Sequence, residues 1–292
     1  MSMLIVTIVL FVCYSILIIY YWQSWNSIPD FIPTEKSFQT KISVIIPARN
    51  EEDNIGKLLI ALQQQTYPKD LFEVIVIDDH STDKTIEVVR KFPEVKLLQL
   101  KEGNINSYKK KAIETGIAAA NGKLIVTTDA DCMPGKEWLQ ILASFKEKNN
   151  AVFIAAPVVF ENNSSLLQKF QALDFLVLQG ITGAAVYKRS MAMCNGANLA
   201  YEKKAFDEVS GFSGINQIAS GDDMLLMHKI WKKYPDKIFY LKSKDAIVQT
   251  QPMKTRKEFF NQRIRWASKA RYYEDKKIFW VLLFVYFLIL LS

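Results

Sequence analysis

Four short runs in the first half of this chain are apolar almost throughout, and three of them end abruptly in polar or acidic residues. Ile42-Ser43-Val44-Ile45-Ile46 is stopped by Pro47 and followed by Ala48-Arg49-Asn50-Glu51-Glu52. Val74-Ile75-Val76-Ile77 runs into Asp78-Asp79-His80-Ser81-Thr82-Asp83, and Leu124-Ile125-Val126-Thr127-Thr128 runs into Asp129-Ala130-Asp131. Residues 95–100 form a further run. Between the runs, 53–65, 84–91 and 107–120 read as helices, the first with Ile55, Leu58, Leu59 and Leu62 at helical spacing. A strand apolar at successive positions, on both of its faces, has to be covered on both sides. Alternation of such strands with helices therefore dictates a mostly parallel sheet between two helical layers. Ligands of these sheets bind beyond the carboxyl ends of the strands. Here those ends carry Arg49, Asn50, Asp78, Asp79, Asp129 and Asp131, and the pattern predicts one polar cleft built from three loops.

Two acidic pairs invite chemistry. In an extended chain Asp129 and Asp131 would project to the same side, and two hard oxygen ligands could hold a divalent cation whose shell a phosphate completes. The competing reading is a turn, because Asp favours strand ends and Pro134-Gly135 follows at once. Asp222-Asp223 precedes a strongly helical stretch at 224–233, which places the pair in its first turn, where negative charge is favoured. Helix capping competes there with catalysis.

The rest of the second half is less regular. Residues 138–148 read as a helix, 151–160 as a strand and 166–186 as a long, largely apolar helix. A loop enters a strand at 195–201, a short helix lies near Phe206, and a strand covers 247–250. Over 257–273 a helical stretch mixes Phe259, Phe260, Ile264 and Trp266 with Arg263, Arg265, Lys269 and Arg271, a pattern suited to a membrane interface.

The ends of the chain point to a bilayer. Residues 3–22 are uncharged and apolar over about 20 positions, the length of a membrane span, without the basic start or small-residue cleavage site of a signal peptide. Residues 1–23 are expected to be a transmembrane signal anchor and 24–40, with Pro29 and Pro33, a linker. A second apolar run over 278–292 is short for a full span and is expected to be the start of a C-terminal membrane segment that continues in a longer polypeptide. Lys36, Lys41, Arg271, Lys276 and Lys277 flank the two runs on the domain side, which predicts an integral protein of the cytoplasmic membrane with a cytosolic domain. The net charge of +7 suits an anionic leaflet. Nucleic acid is not indicated, since no basic stripe with interleaved aromatics is present. Cys13, Cys132 and Cys194 have neither disulfide nor zinc spacing, which suits a reducing compartment.

Six short motifs occur in order: Pro47-Ala48-Arg49-Asn50-Glu51, Asp78-Asp79-His80-Ser81-Thr82-Asp83, Thr128-Asp129-Ala130-Asp131, Asn195-Gly196-Ala197-Asn198, Gly221-Asp222-Asp223 and Gln262-Arg263-Ile264-Arg265-Trp266. Together they resemble the membrane-bound family 2 glycosyltransferases with a GT-A fold, the group of cellulose and hyaluronan synthases and ceramide glucosyltransferase. The resemblance covers roughly residues 41–270. It implies an α/β GT-A catalytic domain over 41–250 and an interface helix over 251–277 carrying Gln-x-x-Arg-Trp.

The roles it implies follow the motifs. Asp79 contacts the nucleotide base, with Arg49, Asn50 and Glu51 shaping the same pocket. Lys109 lies near the nucleotide or on a solvated face. Asp129 and Asp131 form the metal motif for Mg²⁺ or Mn²⁺, Asp131 coordinating directly and Asp129 also meeting the donor. Asp223 matches the catalytic base, and Gln262, Arg265 and Trp266 bind diphosphate and shape the acceptor side. The expected partners are a nucleotide-diphosphate sugar, a lipid-linked or saccharide acceptor and the membrane. Two departures stand out: His80 replaces the more usual Gly, and Asp222 the more usual Glu.

The implied chemistry is inverting transfer of a sugar to a hydroxyl. It needs charge stabilisation at the departing diphosphate, which a cation and Arg265 offer, and a carboxylate to take the acceptor proton, which Asp223 offers. No Cys/His or Ser/His set supports a hydrolase or zinc reading. A sugar nucleotidyltransferase would place a Gly-rich phosphate loop after the first strand, where this chain has Pro47-Ala48-Arg49-Asn50-Glu51. A non-catalytic scaffold would have no use for Asp131, Asp223 and Arg265 together.

Overall fold

The continuous apolar runs become the centre of a sheet. The computed structural model describes residues 2–33, 39–101, 107–161, 165–190, 193–218, 221–268 and 284. In chain order the first half comprises α1 (Ser2–Asn26), β1 (Ile42–Ala48), α2 (Ile55–Gln63), β2 (Phe72–Asp78), α3 (Thr85–Val89), β3 (Val95–Gln99), α4 (Tyr108–Ala118), β4 (Leu124–Thr127), β5 (Met133–Pro134) and α5 (Trp138–Asn149). The second half comprises β6 (Phe153–Ala155), β7 (Val158–Phe160), α6 (Leu166–Tyr187), β8 (Leu199–Glu202), α7 (Lys203–Glu208), α8 (Met224–Lys233), β9 (Ile238–Tyr240), β10 (Val248–Thr250) and α9 (Arg256–Ser268).

Seven strands form the main sheet in the order β3-β2-β1-β4-β8-β6-β9. The β3, β2, β1 and β4 strands pair in parallel, β8 is antiparallel to both neighbours, and β6 pairs in parallel with β9. Strand alternation sends Val44, Ile46 and Val76 to one face, against Leu58 and Leu62 of α2 and Trp138 and Leu142 of α5. Ile45, Ile75 and Ile77 go to the other, against Ile113 and Ile117 of α4 and Leu226 and Ile230 of α8. The mostly parallel, doubly covered sheet expected from the sequence is present.

The expected single strand over 151–160 is two strands in different sheets. Pro157 lies between β6 and β7, and the chain leaves the main sheet there to join a three-stranded sheet of order β5-β10-β7. The short β5 and β9 carry too few residues to show a period, and the sequence pattern did not reveal them.

One buried amide holds the two sheets together. Asn198, wholly buried, accepts from the Trp138 indole N–H at 2.9 Å and donates to the carbonyls of Pro157 and Ala246, each at 2.8 Å. Every hydrogen-bonding atom of its side chain is used. Asn198→Ala leaves the indole N–H and the Ala246 carbonyl buried without that partner, an expected loss of about 2–4 kcal/mol. Urea unfolding of the variant checks this, and a loss under about 1 kcal/mol would refute it.

The α1 helix is docked on the domain. Trp25 lies edge-on to Tyr240 with centroids 5.8 Å apart, and a Cβ at Gly183 of α6 would come within 2.7 Å of the Trp25 ring, so only glycine admits this approach. Beyond the helix, Ile28 is buried, the Phe31 N–H donates to the Lys242 carbonyl at 2.8 Å, and Lys242 Nζ donates to the Ile28 carbonyl at 3.2 Å. Both α1 and α6 are long and apolar enough to cross a membrane. None of the most apolar window of α1 is buried, against 44% of that of α6. The expected C-terminal membrane segment, 278–292, lies outside the described residues apart from Phe284.

Candidate active site

The loops after β1 and β2 interlock at the carboxyl edge of the sheet. Asn50 and His80 both have left-handed backbone, φ 56° and 55°, a region that non-glycine residues seldom adopt. Asn50 accepts from the Thr82 N–H at 2.8 Å and donates its own N–H to Ser81 Oγ at 3.0 Å. The Asp79 carboxylate lies 3.6 Å from Arg49 and 3.1 Å from His80 Nδ1, and the Arg49 guanidinium sits 5.6 Å above the Tyr108 ring. His80 thus takes a left-handed position of the kind that glycine fills most readily. Asp78 accepts from the Ser81 N–H at 3.3 Å, whereas its neighbour Asp79 meets the Arg49 and His80 side chains.

A second group surrounds a cleft of about 340 Å³, lined by Lys109, Asp129, Asp131, Asn195, Asp222, Asp223, Thr250, Gln262, Arg265 and Trp266 among others. Asp129 and Asp131 meet there, but through a turn after β4 and not through strand alternation, the Cys132 N–H donating to the Asp129 carbonyl at 3.1 Å. Asp131 accepts from Thr250 Oγ1 at 3.0 Å. Burial, then the neighbouring Asp129 charge, push the Asp131 carboxyl above its ordinary range. Burial also raises Glu51. The Asn54 amide at 2.9 Å opposes the shift, and the Asp131 and Asp129 charges add to it, so Glu51 lies within electrostatic reach of the pair. Arg49, Asn50 and Asp79 do not line this cleft, and the one cleft expected from three loops is two adjoining clusters.

Lys109 Nζ lies 2.6 Å from Asp129 and 3.6 Å from Asp222. Burial works against its charge, but the Asp129 and Asp222 carboxylates outweigh that and hold the ammonium well above its usual range. Asp223 is the N-cap of α8, one position before the first turn in which the sequence placed it. Its carboxylate accepts from the Met224 N–H at 2.7 Å and the Gly196 N–H at 3.3 Å, yet still lines the cleft. Capping and cleft exposure therefore coexist in one side chain.

The α9 helix delivers the last group. A capping box starts it: the Glu258 N–H donates to Thr255 Oγ1 at 3.2 Å, and Glu258 Oε2 accepts from the Thr255 N–H at 3.0 Å. Gln262, Arg265 and Trp266 face the cleft, and Gln262 Oε1 is buried without a hydrogen-bond partner. Trp266 packs on Phe175 at 6.0 Å and under the Arg263 guanidinium at 4.4 Å, while Phe260 and Ile264 point outward.

Among the described residues no three His, Cys, Asp or Glu side chains converge as a metal centre. The Asp129/Asp131 pair fits a Mg²⁺ or Mn²⁺ ion all the same, because such ions take one or two carboxylates and complete their shell with substrate phosphate and water.

A model of glycosyl transferase family 2 matches residues 43–210, more than half of the chain. The chain belongs to glycosyl transferase family 2. Over 240 residues it is 29% identical to the "Probable glycosyltransferase YdaM" of Bacillus subtilis, covering 80% of this chain and 56% of that protein. The chain spans about three fifths or less of the curated relatives that head the comparison. The fold is shared with the mannosyltransferase PcManGT of Pyrobaculum calidifontis in complex with GDP-Man and Mn²⁺, at TM-score 0.68 and 22% identity, over 91% of this chain and 72% of that one. It is also shared with TarS 1–349 of S. aureus in complex with UDP-GlcNAc, at TM-score 0.57 and 23% identity, over 74% and 59%. The GT-A type of α/β fold expected from the motifs is therefore the fold of this family member.

Sequence reasoning missed Thr250, which holds Asp131, and Tyr108, which lies between Arg49 and His80. An aromatic directly before Lys109 was a usable signal for the second; nothing in the three-residue β10 marked the first. In Asn195-Gly196-Ala197-Asn198 the first three residues line the cleft, whereas Asn198 is structural.

Lys109 is the counter-charge of the cleft; while its carboxylate partners are ionised its ammonium stabilises the fold, fully below the ordinary lysine range, and this is lost as pH rises through its own raised value. Lys109→Met is expected to cost about 1 kcal/mol at pH 7, after discounting for its partial exposure. The loss should shrink below the carboxylate range, where neutral acids no longer repel. Thermal melts across pH check this; an equal loss at pH 7 and pH 3.5 would contradict it.

Proposed function

We propose that this chain transfers a sugar, with inversion, from a nucleotide-diphosphate sugar to a hydroxyl of a lipid-linked or saccharide acceptor at the cytosolic face of a membrane. The observation that carries the reading is the single cleft that combines the Asp129/Asp131 pair, Lys109, Asp223 and the Gln262, Arg265 and Trp266 side chains. The donors named for the Pyrobaculum and staphylococcal structures support a nucleotide sugar as substrate.

Arg49, Asn50, Glu51 and Asp79 form the base and ribose side, where the Arg49 and Tyr108 pair offers a flat face. Mg²⁺ or Mn²⁺ at Asp131 and Asp129 would offset the negative charge that builds on the departing diphosphate. Arg265 and Lys109 supply fixed positive charge to the same group, and the unpartnered Oε1 of Gln262 is an acceptor awaiting a donor hydroxyl. A hydroxyl is a poor nucleophile until its proton has somewhere to go. Asp223 provides that place, its second oxygen being steadied by the cap. A single displacement from the face opposite the diphosphate inverts the anomeric carbon.

Next to Asp223 the cleft continues into a cavity of about 130 Å³ lined by Phe175, Leu178, Met193, Cys194, Met224 and Trp266 among others. That lining favours an acceptor with an apolar part over a purely polar saccharide.

Turnover is expected to require added Mg²⁺ or Mn²⁺, and Asp131→Asn should weaken metal and donor binding together. Asp223→Asn keeps a competent cap but cannot take the proton. Donor affinity should stay near wild type while turnover falls roughly 10²–10⁴-fold. Nucleoside diphosphate release and donor titration measure both, and near-normal turnover in Asp223→Asn would move the base to another residue. For the cytosolic placement, a protease added outside intact cells should spare residues 41–277; cleavage there from outside would reverse the topology.

A further inference from the structure

On the side of α6 away from the catalytic cleft lies a second cavity, of about 530 Å³. Its walls come from α1, α6 and β7: Tyr21, Trp22 and Trp25 on one side, Val177 and Ile181 on the other, Val158 at the base. Lys242 and Lys244 stand at its rim with Asp30. Lys242 lies 3.4 Å from Asp30, so the two nearly cancel, and the exposed Lys244 leaves the rim with a net positive charge.

Gly180 shows that this space is not a packing accident. It lies near the middle of a 22-residue helix, where glycine is less favourable than alanine by about the full span of ordinary helix propensities. Gly183, one turn on, has a reason to be glycine, because Trp25 occupies the room of its missing Cβ. Gly180 has none: a Cβ there would meet nothing within 4 Å. It lines the cavity, and its absent side chain keeps the wall open.

We infer that this cavity is a lipid site, taking one acyl chain of an anionic glycerophospholipid with its phosphate against Lys244. The lining is continuous with the apolar surface of α1, so a chain can enter sideways from a bilayer. Tyr21, Trp22 and Trp25 cluster at the end of α1 nearest the domain, the level at which such rings mark a membrane boundary. A cationic rim at that depth suits an anionic headgroup. The inference rests on reading α1 as a membrane span, and the lipid would lock α1 to α6 without touching the reacting groups.

The test uses the full chain and two soluble probes, lysophosphatidylglycerol and lysophosphatidylcholine below their micelle concentrations, followed by native mass spectrometry and tryptophan fluorescence. Wild type should bind the anionic probe at least ten-fold more tightly than the zwitterionic one. Gly180→Leu, which puts a side chain into the cavity at a position where a Cβ meets nothing within 4 Å and favours the helix, should lose binding of both probes at least ten-fold with an unchanged or higher melting temperature. Lys244→Glu should abolish the preference for the anionic probe and keep the zwitterionic one bound. Undiminished binding in Gly180→Leu, or equal binding of both probes to wild type, would overturn the site. Resistance of the chain to carbonate extraction from membranes is scored separately. Extraction of wild type would refute the span of α1 while leaving the probe result to decide the cavity.

Discussion

The Asn198 amide is the point on which the arrangement turns. Its two N–H groups and one oxygen reach α5, the turn at Pro157 and the turn before β10. Those bonds set the small sheet against the large one. The small sheet in turn brings Thr250 to Asp131 and launches α9, with Gln262, Arg265 and Trp266, across the cleft. A buried amide with all its groups satisfied is directional in a way that apolar packing is not.

The cleft itself is built as a balance of charges. Asp129, Asp131, Asp222 and Asp223 line it from strand and helix ends, and Lys109 stands between Asp129 and Asp222 as their cation. In Asp223 one carboxylate both starts α8, through the Met224 N–H, and lines the cleft.

Much of this was readable from residue order. The runs at 42–46, 74–77 and 124–128 are apolar on both strand faces, which leaves a doubly covered parallel sheet as the economical fold; of the residues that follow them, Asp129 and Asp131 line the cleft, and Arg49, Asn50 and Asp79 form the second cluster. Reading failed where local pattern and tertiary contact part company. Asp78 and Asp79 are chemically identical, and only the direction of the chain at the end of β2 separates a turn former from the partner of Arg49. Asp129 and Asp131 converge as expected but through a turn, because the strand ends at Thr127. Residues 151–160 look like one strand, since apolarity does not reveal which sheet each half joins. The left-handed His80 is invisible in sequence, where a glycine would have announced it.

The docking of α1 has a kinetic side. A domain on a loose tether wanders through a hemisphere above its anchor, and every productive encounter must first freeze that wandering. Here Trp25 seated on Gly183, and Lys242 bound to the Ile28 carbonyl, make α1 and the cleft one body. The ordering cost is met once, during folding. Whatever surrounds α1, the cleft is held at one height and one bearing to it.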